Sequence, residues 1–588
     1  MNRAFFHRSS TVALLAAALA SAWLLAACRP AETLNLNQPD VWPHGAMVSA
    51  ANPLAVAAGI EMLEQGGNAI DAAIATHLVL GLVEPQSSGL GGGGFLLHYD
   101  RNTQSTLFLD GRETAPAGAT VDMFMTDKGA MGYIEAWVSG KAVGTPGMVA
   151  LYHQAHQQAG RLPWSTLFEP ALALARDGFV VSPRLAGYLP MMAQRSRLAK
   201  NEGSQDYFYP DGKPLVSGEL LKNPEYAETL NAIATLGPSA FYTGEIAEAI
   251  VQAAARPPHP GTLTLSDLAD YQVKSRPVIC GPFRTYRICT TSPPSSGAAQ
   301  IMIPNLYDQL APNPVQPFDH ITRFVDAQRL AYADRDHFFG DPDEISIPLD
   351  ILLSPEYLQV RAKDRFAPDE PVSHGDVWQF KGASAETPRW APDTTDEMAG
   401  TTHLSIIDFD GNAVALTATV EGPFGSQRWA KGFVLNNEMT DFAKAVPEDG
   451  SAVANAVAPN RRPRSSMSPT LVFDETDALV LVTGSPGGNS IPAYVAKNII
   501  AVLDWGLTPQ MAVDHPNIIA RGDTIRVEIG RGEGQAIAEA LEAYGYSVRR
   551  REGENSGLHS IQVTPAGLQG AADPRREGVV QHLTNPSH

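Results

Sequence analysis

The chain has 588 residues, with 43 Lys and Arg against 63 Asp and Glu, which gives a formal net charge of −20 at pH 7. Hydrophobic residues make up 44% and charged residues 18% of the chain, as in folded proteins and unlike disordered or collagen-like chains. The acidic balance argues against a general nucleic-acid binder, which needs a basic surface, and three cysteines are too few for a disulfide-rich scaffold.

The N-terminus is typical of a targeting segment. A basic start precedes an apolar run at residues 11–27, which is too short and too rich in alanine to predict a membrane-spanning helix. Residues 1–27 are therefore predicted to be a signal peptide. The Leu-Ala-Ala-Cys that ends at Cys28 resembles a bacterial lipoprotein cleavage site, which implies an acylated Cys28 on an exported protein, at the periplasmic or cell-surface side of a membrane. The alternative is a plain secretory signal with an incidental cysteine. Residues 28–42 are predicted to be a tether.

Two helices and two strands are predicted next. Apolar residues at helical spacing fill residues 53–65, and Asn68 caps a second helix over 69–84. Strands are predicted at 94–99 and 106–109, with turn residues between them.

Several possible cofactor, nucleotide and metal motifs are absent or lack the neighbouring elements that such sites need. Gly89, Gly91 and Gly94 match a dinucleotide fingerprint, but a predicted helix precedes this loop and a strand follows it, the reverse of a dinucleotide site. The sequence contains no P-loop, no G-x-S-x-G and no H-E-x-x-H. His153 and His156 lack a third metal ligand, so a solvated helix face is favoured over a metal site. No metal or organic cofactor is expected for this chain.

The middle of the chain is mostly helical in pattern, over residues 146–360, and contains one predicted hairpin. Cys280 and Cys289 flank the turn of that hairpin, which predicts a cross-strand disulfide in an exported protein; two buried free thiols are the alternative. Residues 366–400 are rich in Pro, Gly, Asp and Glu without periodicity, which predicts an exposed, flexible segment.

Strand signals resume at Thr401. Residues 401–407 and 412–420 alternate around the turn signal Asp410-Gly411. Later strands are predicted at 470–474, 479–483, 524–528 and 559–563, and helices at 490–504, 508–513 and 535–544. Strand runs packed between helical runs predict a layered α/β sandwich.

The junction Gly400-Thr401 joins the irregular segment to a strand, as an N-terminal nucleophile enzyme requires before it cuts itself. A freed Thr401 would carry a hydroxyl and an α-amine that can act as its general base. If the hairpin loop is Phe409-Asp410-Gly411, Thr401 lies opposite Thr419 and their hydroxyls can hydrogen-bond. A two-residue loop would instead pair Thr402 with Thr419, so the inference depends on register.

Seven stretches that include this junction stand in a characteristic order along the chain: GGNAIDAAIA, LVEPQSSGLGGGGF, TTHLSIIDFDGNAVALT, VLNNEMTDF, NRRPRSSMSPTLV, VTGSPGG and GAADPRREG. In these stretches the sequence resembles the γ-glutamyltransferases (glutathione hydrolases), a family of N-terminal-nucleophile hydrolases. The resemblance covers nearly all of the mature chain. It implies a four-layer αββα sandwich and a precursor that cuts itself at Gly400-Thr401 into a large subunit, 43–400 after the tether, and a small subunit, 401–588.

The resemblance also assigns roles to individual residues. It implies that Thr401 is the nucleophile, that Thr419 activates it, and that Gly487 and Gly488 supply the backbone N–H groups of an oxyanion hole. The residues that it assigns to the glutamyl group are Arg112 with Ser465 and Ser466 for the α-carboxylate, and Asp441 with Glu438 for the α-ammonium.

Two departures from the well-known members bear on the substrate. Glu421 stands where those members carry Asn, which adds a carboxylate near the ammonium site. The stretch between Phe442 and Asn455 is shorter than their lid and lacks an aromatic residue. The expected activity is transfer of a γ-glutamyl group from glutathione or related donors to water, amino acids or peptides. The alternatives are an acylase of the same fold with another acyl group, and a surface lipoprotein that binds partners and is never cut.

Overall fold

The computed structural model describes residues 42–312, 316–364, 366–380, 388–393, 395–443 and 451–585. The predicted signal peptide, Cys28 and nearly all of the predicted tether lie outside these residues, as does most of the short lid stretch. Within the described ranges, no helix has both the length and the apolar character to cross a membrane.

The first of two large sheets has seven strands, and every neighbouring pair is antiparallel. In spatial order its strands are Val579–Leu583, Ala46–Ala50, Thr401–Ile407, Ala413–Thr419, Gly93–Asp100, Ser105–Gly111 and Lys274–Arg276. The strand that begins at Thr401 therefore lies inside the sheet, where pairing on both sides fixes its position.

The second large sheet has six strands and is also antiparallel throughout. Its order is Gly567–Ala572, His559–Thr564, Leu479–Gly484, Thr470–Phe473, Tyr286–Thr291 and Val278–Phe283. A smaller three-stranded sheet contains Ile518–Ile519, Thr524–Glu528 and Ser547–Arg551. Two-stranded ribbons pair Trp429–Ala430 with Phe433–Val434, Met125–Thr126 with Gly129–Ala130, and Phe179–Val180 with Leu220–Leu221.

Helices cover the outer face of each sheet. The α-helices are Pro53–Glu64, Ala69–Val83, Tyr133–Trp137, Met148–Ala159, Glu169–Asp177, Pro183–Arg195, Ser204–Phe208, Pro224–Leu236, Ser239–Tyr242, Gly244–Ala255, Leu265–Ala269, Gly297–Gln309, Asp319–Phe338, Leu349–Leu352, Pro355–Arg361, Ile491–Leu503, Pro509–Asp514 and Gly534–Ala543. The 3₁₀ turns are Gly140–Ala142, Trp164–Phe168, Pro210–Gly212, Val377–Gln379, Glu438–Asp441 and Gly488–Ser490.

The layers stack as helices, sheet, sheet, helices. Helices Pro53–Glu64 and Ala69–Val83 pack on the first sheet, Gly297–Gln309 and Ile491–Leu503 pack on the second, and the central strands of the two sheets face each other. Ala69–Val83 is buried along its whole length, which explains why its sequence is apolar on all sides. The predicted four-layer αββα sandwich is confirmed.

The predicted hairpin register is confirmed. Thr401 pairs with Thr419 across the sheet, and Asp408 N–H donates to Asn412 O at 3.0 Å, so the loop is Phe409-Asp410-Gly411. Gly411 has φ +80, the left-handed conformation that a three-residue loop requires at this position.

The sequence analysis missed four strands of the large sheets, Ala46–Ala50, Lys274–Arg276, Gly567–Ala572 and Val579–Leu583. The expectation of an exposed segment at 366–400 is wrong for Val377, Asp393 and Gly400, which are buried. In the described part of this segment, Asp393, Asp396 and Glu397 form ion pairs with Arg464, Arg521 and Arg335.

Candidate active site

Three hydrogen bonds converge on the hydroxyl of Thr419 at the Gly400–Thr401 junction. Thr419 Oγ1 lies 3.0 Å from Thr401 Oγ1, 3.1 Å from Gly400 O and 2.8 Å from Glu421 N. Thr401 and Thr419 are both buried, so water does not compete for these bonds.

One arrangement of protons satisfies all three contacts. A carbonyl oxygen only accepts and a backbone N–H only donates, so Thr419 donates its single proton to Gly400 O and accepts from Glu421 N–H. Its remaining lone pair then accepts the proton of Thr401. The Gly400 carbonyl is polarised and the Thr401 hydroxyl is oriented by the same side chain.

Gly487 and Gly488 lie where the chain turns from the second sheet into the helix Ile491–Leu503. Both have positive φ, +144 and +55, and the 3₁₀ turn Gly488–Ser490 leads directly into the helix. The positive end of the helix dipole favours negative charge at this position. A Cβ built on Gly488 would lie 2.3 Å from the carbonyl oxygen of Glu397, so the backbone there approaches as closely as only glycine permits.

The residues just before Thr401 are held by side chains from the later part of the chain. We call residues 395–400 the upstream segment. Met398 N–H donates to Glu421 at 2.7 Å, and Ala399 O accepts from Asn555 at 3.1 Å. Because Gly400 O is held by Thr419, the segment is fixed residue by residue up to the Gly400–Thr401 bond.

An acid cluster surrounds Arg112. We use that name for Glu113, Glu421, Glu438 and Asp441. Arg112 donates to Glu438 and, at 2.6 Å, to Asp441. Its guanidinium also donates to Pro463 O and Arg464 O, so four of its five N–H groups are engaged.

The acid cluster is rich in carboxyl groups and short of hydrogen-bond partners. Glu438 Oε2, Asp441 Oδ1 and both carboxylate oxygens of Glu113 are buried without a hydrogen-bond partner. Burial raises the pKa of Glu113 to about 7 and that of Asp441 to about 6, and it raises the pKa of Glu438 well above its usual range. A cation in the cluster would satisfy these oxygens.

The sequence profile of the family described as Gamma-glutamyltranspeptidase matches residues 55–583. The chain belongs to this family of enzymes. It is 37% identical to the glutathione hydrolase proenzyme of Escherichia coli (strain K12), with 97% of this chain and 98% of that protein covered. It is 34% identical to the corresponding proenzyme of Bacillus subtilis (strain 168), with 92% of each covered. A cephalosporin acylase from Bacillus halodurans superposes with a TM-score of 0.80 at 26% identity, covering 95% of this chain and 99% of that one.

The structure gathers most of the predicted residues of this family member around one bond. Thr401, Thr419 and Gly400 are in direct contact, Gly488 abuts the upstream segment, and Glu421 binds it. Ser466 N–H binds the upstream segment as well, at Glu397 Oε2, 2.8 Å away. Ser465 is turned inward, and its Oγ accepts from Met467 N–H at 3.2 Å.

Sequence reasoning missed three arginines. Arg335 and Arg464 contact the side chain of Glu397, and Arg576 Nη1 donates to Thr401 O at 2.7 Å. Arg464 and Arg576 stand inside stretches that carried the family resemblance, but nothing in the order of residues shows what a buried guanidinium faces. Arg335 lies on the helix Asp319–Phe338, where it is indistinguishable from a surface charge.

Cys280 and Cys289 lie opposite each other on the second sheet and are joined by a disulfide bond. Their strands, Val278–Phe283 and Tyr286–Thr291, form the predicted hairpin at the edge of that sheet.

Proposed function

We propose that the chain is a self-processing enzyme that uses an N-terminal threonine to transfer γ-glutamyl groups from glutathione and related amides to water, amino acids or peptides. The observation that carries the proposal is the hydroxyl of Thr419, which bonds the hydroxyl of Thr401 and the Gly400 carbonyl at once. The start of an ordinary strand does not need one hydroxyl bonded to both a neighbouring hydroxyl and the preceding carbonyl. A nucleophile beside its own scissile bond requires both bonds.

Self-cleavage follows from the proton arrangement. Thr401 Oγ1 attacks the Gly400 carbonyl carbon, and the O–H of Thr419 stabilises the oxygen that becomes negative. The C–N bond breaks, the hydroxyl proton ends on the released amine, and water hydrolyses the resulting ester. The products are a large subunit that ends at Gly400 and a small subunit that begins at Thr401.

The freed threonine then carries out turnover. Its α-amine takes the proton of its own hydroxyl, which attacks the γ-carbonyl of the donor and forms an acyl-enzyme. Gly487 and Gly488, at the helix N-terminus, supply the N–H groups that stabilise the tetrahedral oxygen. Water or the amine of an acceptor then releases the γ-glutamyl group.

The acid cluster supports a donor that carries an ammonium. The unpartnered oxygens of Glu438, Asp441 and Glu113 match a group with three N–H donors, such as the α-ammonium of a γ-glutamyl group. Glu421 adds a fourth carboxylate. A glutaryl group has no ammonium and would leave these carboxylates unsatisfied.

Denaturing gels and N-terminal sequencing test the proposal. The purified protein should give two chains, one beginning Thr-Thr-His-Leu, and should hydrolyse a γ-glutamyl anilide. Thr401→Ala should remain whole and inactive. Thr402→Val is the matched control, because the Thr402 hydroxyl is buried without a partner and valine has its shape. Two chains from Thr401→Ala, or one uncut inactive chain from the wild type, would contradict the proposal.

The second candidate is an acylase with a different acyl group. The superposition with the cephalosporin acylase favours it. Comparing the kcat/KM for a γ-glutamyl anilide with that for a glutaryl anilide separates the two candidates. A higher value for the glutaryl compound would favour the acylase.

We also propose that the enzyme is exported, with residues 1–27 removed and Cys28 acylated. The basic start, the apolar run and the Leu-Ala-Ala-Cys sequence support this proposal. Intact-mass spectrometry of the large subunit would report the lipid directly. A mass without acyl chains, and a start elsewhere than Cys28, would instead indicate a plain secretory signal.

A further inference from the structure

The disulfide between Cys280 and Cys289 has one half at the surface and the other half inside the protein. Cys280 lies on the edge strand of the second sheet and is exposed, whereas Cys289 on the neighbouring strand is fully buried. The helix Gly297–Gln309 covers the other face of the hairpin, at Gly281. A small molecule in solvent can therefore reach the disulfide from the Cys280 side only.

A guanidinium group lies against this disulfide. Arg287 precedes Cys289 by two residues on the same strand, so both side chains lie on one face of the sheet. Arg287 Nη1 lies 2.8 Å from Cys289 Sγ and 3.4 Å from Cys280 Sγ. The positive charge is therefore closer to the buried sulfur than to the exposed one.

Arg287 is held in this position from two sides. Its Nη2 donates to Asp477 at 2.5 Å, and its guanidinium carbon lies 4.8 Å from the centre of the Phe473 ring. A disulfide is uncharged and interacts only weakly with a cation. A thiolate carries a full negative charge, which a neighbouring arginine stabilises. The fixed arginine therefore favours the state in which Cys289 is a thiolate.

The hairpin keeps the two cysteines together without the help of the bond. Its strands pair in unbroken register over six residue pairs, with Cys280 directly opposite Cys289, and only Arg284 and Thr285 separate the strands. Directly opposed residues have Cβ atoms about 5 Å apart. Two reduced thiols would therefore remain neighbours and could form the bond again, so the disulfide can open while the sheet stays paired.

We propose that Cys280–Cys289 is a thiol–disulfide exchange site, at which a low-molecular-weight thiol attacks Cys280 and Cys289 leaves as a thiolate beside Arg287. The sulfur of the attacking thiolate bonds to Cys280 Sγ, the bond between the two cysteines breaks, and its electron pair stays on Cys289. A second molecule of the same thiol then attacks the mixed disulfide. It leaves as the small-molecule disulfide, and both cysteines are reduced.

The source of the thiol rests on the proposed function. Glutathione carries a thiol, and removal of its γ-glutamyl group releases cysteinylglycine, which carries the same thiol. Both would be present where the enzyme acts, so either can form the mixed disulfide. The exchange itself requires neither self-cleavage nor turnover, because Cys280, Cys289 and Arg287 are far from the Gly400–Thr401 junction in sequence and belong to another sheet.

Incubation with cysteinylglycine tests the exchange without a γ-glutamyl group. Samples are quenched at timed intervals with N-ethylmaleimide, and the peptides are analysed by mass spectrometry. The folded protein should lose the disulfide, and the trapped intermediate should carry cysteinylglycine on Cys280 and N-ethylmaleimide on Cys289. An intermediate with the opposite arrangement would overturn the inference. So would a disulfide that persists in the folded protein but is lost from the urea-unfolded chain.

Two substitutions that break the same ion pair separate the charge effect from packing. Arg287→Gln should slow loss of the disulfide about 3- to 10-fold, because a thiolate leaves less readily when the pKa of its thiol rises. Asp477→Asn removes the opposing charge and should not slow it. Loosening of the hairpin alone would speed the exchange in both variants. Arg284→Gln is the matched control, because Arg284 lies on the same hairpin but pairs with Asp308 and Asp504.

These outcomes do not depend on whether the protein is a γ-glutamyl enzyme. If the wild type is never cut and hydrolyses no γ-glutamyl anilide, the proposed function fails, and exchange with cysteinylglycine can still be measured. If Arg287→Gln loses the disulfide as fast as the wild type or faster, the bond is a structural one and this inference fails alone. Arg287→Lys, which keeps the charge, should retain part of the wild-type rate.

Discussion

Replacing Thr419 with valine tests the role of Thr419 Oγ1 in the proposed self-cleavage. Valine keeps the shape of threonine and removes only the hydroxyl that bonds Thr401, Gly400 and the N–H of Glu421. Strand pairing at this position does not depend on that hydroxyl, so the register with Thr401 should persist.

The structure sets the size of two effects. Loss of the donor to the Gly400 carbonyl removes one oxyanion contact, which typically costs about 100- to 1,000-fold in rate. The Glu421 N–H is left buried without an acceptor, which costs about 1–3 kcal/mol of folding free energy. Thr419→Ser keeps the hydroxyl and should show neither effect in full.

Cell-free synthesis followed by denaturing gels at timed intervals measures the rate of self-cleavage. Thermal unfolding of each variant in a Thr401→Ala background measures stability without interference from the cut. Thr419→Val chains that cleave at the wild-type rate would refute the proton arrangement. If Thr419→Ser is cleaved as slowly as Thr419→Val, the shape of the side chain matters rather than its hydroxyl.

Three further perturbations test other parts of the site. Gly488→Ala should block self-cleavage, because the new Cβ would lie 2.3 Å from a carbonyl oxygen of the upstream segment. Gly506→Ala is the control, since Gly506 has a similar φ of +69 and open space around it, and this variant should be cut normally on the same gel. Arg576→Met should move the acid limb of the kcat/KM profile of the cut enzyme to higher pH by about 1 unit. The reason is that removing a cation bonded to the carbonyl of Thr401 raises the pKa of its α-amine. Arg576→Lys should move the limb less, and an unmoved limb would exclude this role. Burial lowers the pKa of His559 to about 3, so between pH 6.5 and 3 this side chain binds a proton in the unfolded chain but not in the folded one. The free energy of unfolding should therefore fall as the pH drops from 6.5 toward 3. Calorimetric unfolding of His559→Gln should show a shallower fall, by up to about 1.4 kcal/mol per pH unit.

Much of the site could be predicted because its residues are local in sequence. Thr401 and Thr419 belong to one hairpin, and a three-residue loop is enough to bring them face to face. The helix Ala69–Val83 was predictable from its cap at Asn68 and its apolar run. The strands Gly567–Ala572 and Val579–Leu583 were not, because small or alternating residues become strands only when a neighbouring strand pairs with them.

The sequence by itself indicated the family and predicted that Thr401 and Thr419 face each other, since periodicity, turn chemistry and contiguous motifs are all properties of neighbouring residues. Only the tertiary structure decided which charges meet. Arg335, Arg464 and Glu397 come from a helix, a loop and the segment before the cut, and their order along the chain contains no sign of their contact. Burial and Coulomb interactions depend on distance in space, so the contacts among these buried charges arise only when the layers have packed.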